Sequence, residues 1–173
     1  ILRFTGGNAV EVKYNSKWLA KMNMGDMLEL ASNITVDQLL ERDMFAKRKA
    51  EGKPIYLHEF LYPLMQGYDS VAMNVDGEVG GNDQTFNMLV GRDLQRIYNK
   101  KEKFVLTNKL LVDSSGKKMG KTEGNMVAFA DSPEDMFGKV MSWTDGMIMN
   151  GFELCTTLSM AEIKKLEIEL KNP

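Results

Sequence analysis

The sequence predicts an α/β fold, with strands in a parallel sheet, followed by an α-helical segment. Residues 74–79 are typical of a short strand, Gly80 and Gly81 permit a tight turn, and apolar side chains then recur at helical spacing as far as Tyr98. A second apolar run, residues 103–112, predicts a buried parallel strand. In α/β folds, a strand, a glycine turn and a helix in this order build binding sites at the carboxyl ends of strands.

The overall composition excludes several classes of protein. Of the 173 residues, 43% are hydrophobic and 27% are charged, which is ordinary for a soluble globular protein. The net charge of −2 gives no general attraction to nucleic acid, so contact with RNA would require a local basic patch. One cysteine and one histidine exclude an internal disulfide and leave too few ligands for a Cys/His zinc site. No apolar run approaches the roughly 20 residues that cross a bilayer, so we expect a cytoplasmic protein without a membrane partner.

The first 54 residues are predicted to form a segment that begins with a strand. The alternating apolar and polar side chains of residues 9–15 are typical of a strand or of one arm of a hairpin. A helix is expected from about residue 17 to residue 31, because apolar side chains recur there at helical spacing. Gly25 and Asp26 are expected to break this helix into two pieces.

A second helix in this segment is predicted from Val36 to about Glu51, with Thr35 as its N-cap. Four residues are expected to form its apolar face: Leu39, Leu40, Met44 and Phe45. The opposite face carries charges of both signs, which most often indicates a face in contact with solvent. A surface for dimerisation or for nucleic acid is the alternative.

The next helix carries polar side chains among apolar neighbours. Tyr62, Gln66 and Asp69 are spaced i, i+4 and i+7, so a helix would point all three in one direction. A phenol, an amide and a carboxylate together could hold a small zwitterion that carries a hydroxyl group. Pro63 requires either that the helix begins near Tyr62 or that a kinked helix runs through the proline. A core helix whose polar groups are satisfied internally is the plain alternative.

The sequence Gly-Gly-Asn-Asp-Gln at residues 80–84 follows the first predicted strand of the sheet. Asn82 or Asp83 is expected to cap the helix that comes next. Asp83 is also placed to accept hydrogen bonds from ribose hydroxyls. On this motif alone, the capping role and the ribose role are equally good interpretations.

A loop rich in glycine and lysine, residues 113–125, follows the second predicted strand. Backbone N–H groups and lysines in such a loop can stabilise the negative charge of a polyphosphate. A solvated basic loop is the alternative. A Walker A loop is not indicated, because Gly116 stands one residue too close to Gly120 for the required spacing.

The pattern becomes purely helical near residue 131. Ser132 followed by Pro133 predicts a helix start, with serine as the cap and proline at the first position. Two more short helices are expected near residues 145–155 and 160–171. Cys155 lies in an apolar context and is expected to be buried.

Three motifs occur in a fixed order along the chain: Tyr-Pro-x-x-Gln-x-Tyr-Asp, Gly-Gly-x-Asp-Gln, and Lys-Met-x-Lys-[Ser/Thr]. Each is weak alone, but the ordered set resembles a bacterial-type tyrosyl-tRNA synthetase, a class I aminoacyl-tRNA synthetase. The resemblance covers nearly the whole chain. It implies the second half of a Rossmann-like catalytic domain at residues 55–130, after the connecting segment of residues 1–54. Residues 131–173 would then lead toward the tRNA-binding region.

The resemblance also implies which residues bind the substrates. Four side chains would bind tyrosine. Tyr62 and Gln66 would bind its α-amino group, Asp69 would hydrogen-bond its phenol hydroxyl, and Gln84 would lie near its carboxylate. Four residues would bind ATP: Gly81, Asp83, Lys118 and Lys121. Three would act in catalysis at the transferring phosphate: Lys118, Lys121 and Thr122. Mg²⁺ would arrive with ATP, without a metal site in the protein, and the partners would be L-tyrosine, ATP, tRNA(Tyr) and a second copy of the chain. A tryptophan-specific relative would not need Asp69 for a phenol.

The chain also departs from the family pattern. Gly120 stands where the lysine loop usually has serine, and the His-x-Gly-His-type motif of the first half of the fold is absent. The chain begins at Ile1 rather than Met, and it lacks the anticodon-recognising region, so we expect a fragment. We therefore predict that this chain alone does not catalyse the reaction at a useful rate. A non-catalytic binding or assembly module derived from a synthetase is the alternative function.

Overall fold

The computed structural model describes residues 7–113, 115–120 and 124–171, and the chain divides into two compact units, Ile1–Thr107 and Asn108–Pro173. The described part of the first unit shows six α-helices and a two-stranded sheet, in this order: α1 Ser16–Leu19, α2 Met24–Ala31, α3 Val36–Leu40, α4 Asp43–Ala50, α5 Leu57–Met73, β1 Gly77–Gly81, a 3-10 turn Asn82–Gln84, α6 Thr85–Asn99 and β2 Phe104–Asn108. Three helices are described in the second unit: α7 Pro133–Met141, α8 Asp145–Cys155 and α9 Met160–Lys171. The boundaries predicted at residues 54 and 130 stay predictions.

Helices α5 and α6 pack against each other and form the centre of the first unit. The hydrophobic core cluster consists of five buried residues: Leu30, Leu64, Val71, Val90 and Leu94. The two helices approach closely at Gly67, where an added Cβ would lie 3.0 Å from a side-chain carbon of Leu94 and 3.1 Å from the backbone nitrogen of Gly91. Only glycine fits such a contact without displacing its neighbours. This packing holds the polar face of α5 beside the start of α6.

Helix α5 runs through Pro63, so it does not begin near Tyr62, the first of the two alternatives that the sequence left open. The proline removes one intrahelical hydrogen bond, the one to the carbonyl of Glu59. At the N-terminus, the Glu59 carboxylate accepts from the backbone N–H of Tyr56 at 2.9 Å. The helix ends at Asn74, whose φ of 49° is left-handed and turns the chain toward β1.

Strands β1 and β2 form a parallel pair joined by α6, as the sequence predicted. Strand β1 starts at Gly77, later than predicted, because Asn74 ends the preceding helix. The prediction of a long buried second strand was wrong, since β2 stops at Asn108 and most of its residues are exposed. A strand is buried only when layers cover both of its faces, and Phe104 is 64% exposed in the described structure.

The strand predicted at residues 9–15 is not present. These residues have no regular secondary structure before the turn at Asn15, and Val12 and Tyr14 are exposed. Alternation predicts a strand only where a neighbouring strand can complete its hydrogen bonds, and within the described residues no strand lies beside this segment.

The helix predicted from about residue 17 to residue 31 is broken, but earlier than expected. Asn23 caps α2: its side chain accepts from the N–H of Asp26 at 3.1 Å, and the Asp26 carboxylate accepts from the N–H of Asn23 at 2.8 Å. Because this reciprocal capping starts a new helix, Gly25 and Asp26 lie in its first turn rather than in the break.

The helix predicted from Val36 to Glu51 is also two helices, α3 and α4, which meet at residues 41–42. Thr35 caps α3, as predicted, by accepting from the N–H of Gln38 at 3.2 Å. Of the predicted apolar face, Leu39 and Phe45 are buried, whereas Met44 is 46% exposed.

The three helices of the second unit agree with the sequence prediction. Ser132 caps α7 by accepting from the N–H of Asp135 at 3.1 Å, with Pro133 at the first position. Helix α8 packs on α9. The prediction that Cys155 is buried was wrong: it is the last residue of α8 and is exposed. None of the described helices is long and apolar enough to cross a membrane.

Candidate functional site

Asp69 is held by two side chains from the start of the described chain. The indole Nε1–H of Trp18 donates to Asp69 Oδ1 at 2.8 Å, and the Asn15 side-chain amide donates to Oδ2 at 3.4 Å. Burial raises the pKa of Asp69 above its usual value, and these two hydrogen bonds oppose that shift. The carboxylate oxygens keep further lone pairs, so the group can still accept a hydrogen bond from a hydroxyl.

The sequence did not identify Trp18 and Asn15 as hydrogen-bond partners of Asp69. Trp18 lies within the helix predicted from about residue 17, among its recurring apolar side chains, and it stands 51 residues before its partner. A buried indole N–H usually finds a hydrogen-bond partner. That rule indicates that some acceptor exists, without saying which one.

Gln66 and Gln84 come from different elements and are joined through Asn87. The Asn87 Nδ2 group donates to Gln66 Oε1 at 3.0 Å and to Gln84 Oε1 at 3.1 Å. The Gln84 Nε2 group in turn lies 3.3 Å from Asp83 Oδ2. The structure therefore connects residues of the first two motifs by side-chain hydrogen bonds.

Gly80 and Gly81 do not form the tight turn that the sequence predicted. Both belong to β1, and neither has a positive φ. At Gly80 an added Cβ would lie 3.0 Å from the sulfur of Met88, so the glycine permits close packing of the strand on α6. The N-cap of α6 is Gln84 rather than Asn82 or Asp83, because a 3-10 turn precedes the helix.

Tyr62 is 56% exposed and lines a cleft of about 470 Å³ beside α4. Arg42 lines the same cleft, and its guanidinium lies 5.1 Å from the ring centroid of Phe45 and 5.3 Å from that of Phe86. Desolvation lowers the pKa of Arg42, although the group stays a cation at neutral pH. Helical spacing places Tyr62 on the face of α5 that also carries Gln66, one turn away, and Asp69, two turns away.

A buried ion pair stands next to Asp69. The Lys103 ammonium, whose side chain is fully buried, lies 2.9 Å from Ser70 Oγ and 2.5 Å from Glu78 Oε2. Gly91 makes room for it, because a Cβ there would lie 2.6 Å from the Lys103 nitrogen. The pair ties the site-bearing turn of α5 to β1, and the sequence analysis did not single it out.

The lysine loop belongs to the second unit, and its base is closed by hydrogen bonds. Val112 and Lys118 form an antiparallel bridge, and Asp113 accepts from the backbone of Ser115 and Lys117 at 2.9 and 3.0 Å. The Ser115 hydroxyl is the main reason that the pKa of Asp113 is lowered. Asn125 closes the other side of the base by donating to Asp113 Oδ2 at 3.2 Å.

The structure locates only part of the predicted lysine loop. Lys118 lies at the bridged base, while Lys121 and Thr122 lie outside the described residues. Within the described chain, His, Cys, Asp and Glu form no cluster of three or more that could hold a metal ion. The binding and catalytic roles of the motif residues stay predictions.

Comparison with known proteins establishes the family. The sequence profile of tRNA synthetases class I (W and Y) matches residues 2–173, so the chain belongs to this family. Tyrosine–tRNA ligase from Haemophilus influenzae is 47% identical over 163 residues, which cover 94% of this chain and 41% of that protein. The ligase from Burkholderia thailandensis is 49% identical over 160 residues, covering 92% and 39%. The chain thus spans about two fifths of the length of these relatives.

Solved structures agree with the predicted fold class. A C-terminally truncated mitochondrial tyrosyl-tRNA synthetase from Coccidioides posadasii matches with a TM-score of 0.62 and 25% identity, covering 92% of this chain and 48% of that one. Tyrosyl-tRNA synthetase from Archaeoglobus fulgidus, solved with L-tyrosine, matches with a TM-score of 0.60 and 22% identity, covering 80% and 45%. The resemblance and the Rossmann-like α/β fold inferred from the sequence are therefore confirmed.

Proposed function

We propose that this chain is part of a tyrosine–tRNA ligase: the second half of the catalytic domain and the helices that follow. The observation that carries the proposal is the 47% identity to a tyrosine–tRNA ligase over 94% of this chain. The motif residues stand in that segment in the expected order. The activity belongs to the whole protein, because the relatives are more than twice as long as the matched segment.

The reaction has two steps. A carboxylate oxygen of L-tyrosine attacks the α-phosphorus of ATP, which forms tyrosyl-adenylate and releases pyrophosphate. A ribose hydroxyl at the 3′ end of tRNA(Tyr) then attacks the activated carbonyl and releases AMP. Catalysis needs positioning and stabilisation of the charge on the transferring phosphate, without a covalent enzyme intermediate. Mg²⁺ bound to ATP would neutralise part of that charge.

In this proposal, the residues of the first unit bind and orient tyrosine. Asp69 accepts a hydrogen bond from the phenol hydroxyl, while Trp18 and Asn15 keep its carboxylate in place. Phenylalanine has no hydroxyl, so with it this half-buried carboxylate would lose the hydrogen bond that the phenol supplies, and tyrosine is preferred. Tyr62 and Gln66 bind the α-amino group, and Gln84 binds near the carboxylate.

In this proposal, ATP binds to the Gly-Gly-x-Asp-Gln motif and to the lysine loop. Asp83 accepts from the ribose hydroxyls, and Gly81 lets the ligand approach the backbone. Lys118 and Lys121 stabilise the phosphates, with support from the hydroxyl of Thr122. The hydrogen-bonded base of the loop favours this assignment for Lys118, because it holds the backbone of that residue in place.

We propose further that the full-length protein is a cytoplasmic homodimer. Exposed apolar side chains at the start of α5 and on α4 favour an interface between copies: Tyr56 and Leu57 are 58% and 78% exposed, and Met44 is 46% exposed. The sequence suggested a dimer surface on the charged face of the segment Val36–Glu51; this interface instead uses Met44 from its predicted apolar face and continues onto α5. The free, exposed Cys155 suits a reducing compartment. Sedimentation of the full-length protein tests the dimer, and Leu57→Glu should shift it toward the monomer.

Tyrosine-dependent pyrophosphate exchange tests the activity. The full-length protein should exchange with L-tyrosine and much less with L-phenylalanine, and Asp69→Ala should lose most of this preference. The isolated 173-residue chain should show no measurable exchange. If the full-length protein exchanges with tryptophan instead, or with no amino acid, the proposed function is wrong.

A further inference from the structure

Asn87 lies in the first turn of α6, between two glutamines that we assign to tyrosine binding. Asn87 is only 2% exposed. Its Nδ2 group donates one hydrogen bond to Gln66 Oε1 and one to Gln84 Oε1, at 3.0 and 3.1 Å. Gln84 continues the chain from Nε2 to Asp83 Oδ2 at 3.3 Å. Asn87 is therefore the central donor of a side-chain network that joins the tyrosine residues to the ribose residue.

The other end of the Asn87 amide is unsatisfied. Its Oδ1 atom is buried and has no hydrogen-bond partner among the residues that the structure describes. Leucine has nearly the same shape and would leave no buried oxygen unpaired, so packing alone does not explain an asparagine here. What leucine lacks is an NH₂ group with one proton for each glutamine oxygen.

The hydrogen bonds of Asn87 determine how the two glutamine amides are turned. An amide presents an acceptor at one end and donors at the other, so a half-turn exchanges the two. Because Gln84 Oε1 faces Asn87, the Nε2 group of Gln84 points away from it, while Gln66 Oε1 accepts from Asn87 and keeps a second lone pair for the α-amino group. One Nε2 proton of Gln84 serves Asp83, and the second remains for a substrate carboxylate.

We propose that Asn87 is a positioning residue that fixes the amide orientation of Gln84, so that Gln84 presents an N–H group to the carboxylate of tyrosine. The inference rests on the proposed function and adds to it a residue outside the three motifs. It predicts that loss of the Asn87 donor weakens recognition of the carboxylate more than recognition of the phenol and the ammonium.

The test compares Asn87→Leu and Asn87→Asp with the same two changes at Asn99. Asn99 lies on the same helix, roughly 18 Å further along it, and its Nδ2 group also donates twice, to Val71 O at 3.0 Å and to Gln95 Oε1 at 2.9 Å. The Asn99 variants thus also remove two hydrogen bonds of an asparagine on α6, one to α5 and one within α6, away from Gln66 and Gln84. Thermal unfolding shows that each variant is folded before it is assayed.

The readout separates the carboxylate from the rest of the substrate. In the full-length protein, the KM for L-tyrosine in pyrophosphate exchange is compared with the inhibition constant of tyramine, which has the phenol and the ammonium but no carboxylate. We expect both Asn87 variants to raise the KM on the order of tenfold, the effect of one or two lost hydrogen bonds. Tyramine inhibition should change by less than about threefold, and the Asn99 variants should affect neither quantity.

Three results would overturn the inference. Equal losses for tyrosine and tyramine would mean that Asn87 only supports the fold. A selective loss in Asn87→Asp but not in Asn87→Leu would mean that the new charge repels the substrate and that orientation is irrelevant. An equal rise of the KM for tyrosine in the Asn99 variants would mean that the effect arises from the packing of α6. Absence of exchange in the unmodified full-length protein would instead contradict the proposed function itself.

Discussion

Lys103 offers the sharpest test of how the first unit is held together. Its ammonium is fully buried and contacts Ser70 of α5 and Glu78 of β1 at 2.9 and 2.5 Å. Lys103→Met keeps the length and the apolar stem of the side chain but removes the cation. The Glu78 carboxylate then loses its cation in a partly buried site and keeps only the Ser70 hydroxyl, which donates to it at 3.2 Å.

The size of the loss follows from the exposure of the two groups. Removing one partner from a fully buried ion pair costs about 3–5 kcal/mol of unfolding free energy. The Glu78 side chain is 25% exposed, so water solvates part of the orphaned carboxylate, and we expect a loss of about 2–3 kcal/mol. The double variant Lys103→Met with Glu78→Gln removes both charges and should recover most of this loss.

Lys101→Met is the matched control. Lys101 pairs with Asp76 at 2.8 Å, but Asp76 is 87% exposed, and such surface pairs contribute about 0–1 kcal/mol. Urea unfolding is followed by the fluorescence of Trp18, in a Trp143→Phe background, because Trp143 lies in the second unit. The reasoning is refuted if Lys103→Met loses no more stability than Lys101→Met, or if the double variant is no more stable than Lys103→Met.

Further predictions concern packing, pH and the size of the natural protein. Gly67→Ala should cost about 1–3 kcal/mol of unfolding free energy, because the methyl group meets α6 at 3.0 Å. Gly138→Ala in α7 meets nothing within 4 Å and should stabilise by up to about 1 kcal/mol; urea unfolding measures both. The raised pKa of Asp69 means that its contribution to stability is present below its unfolded pKa and is lost as pH rises through the folded pKa. Asp69→Asn should therefore raise thermal stability at neutral pH but not in acid. The lowered pKa of Asp113 has the opposite effect: its contribution to stability is present above the unfolded pKa and is lost as pH falls through the folded pKa. Asp113→Asn should therefore reduce the loss of thermal stability of the second unit in acid. Mass spectrometry of the natural gene product should find a species much heavier than 19.6 kDa; a species of this mass would contradict the interpretation as a fragment.

Features that depend on neighbours in the chain were predictable from the sequence. Thr35 and Ser132 were identified as N-caps because a cap bonds a backbone N–H only three residues away. The common face of Tyr62, Gln66 and Asp69 follows from helical spacing, whatever surrounds the helix. The ordered motifs identified the family because they are local strings of residues.

Features that depend on distant partners were decided only by the tertiary structure. The strand predicted at residues 9–15 fails, and β2 is exposed, because pairing and burial depend on which elements lie alongside. The same holds for the site: Trp18 meets Asp69 across 51 residues, and Asn87 meets Gln66 across 21. Spacing along a helix determines where a side chain points, but only the packing of α5 on its neighbours determines what it meets.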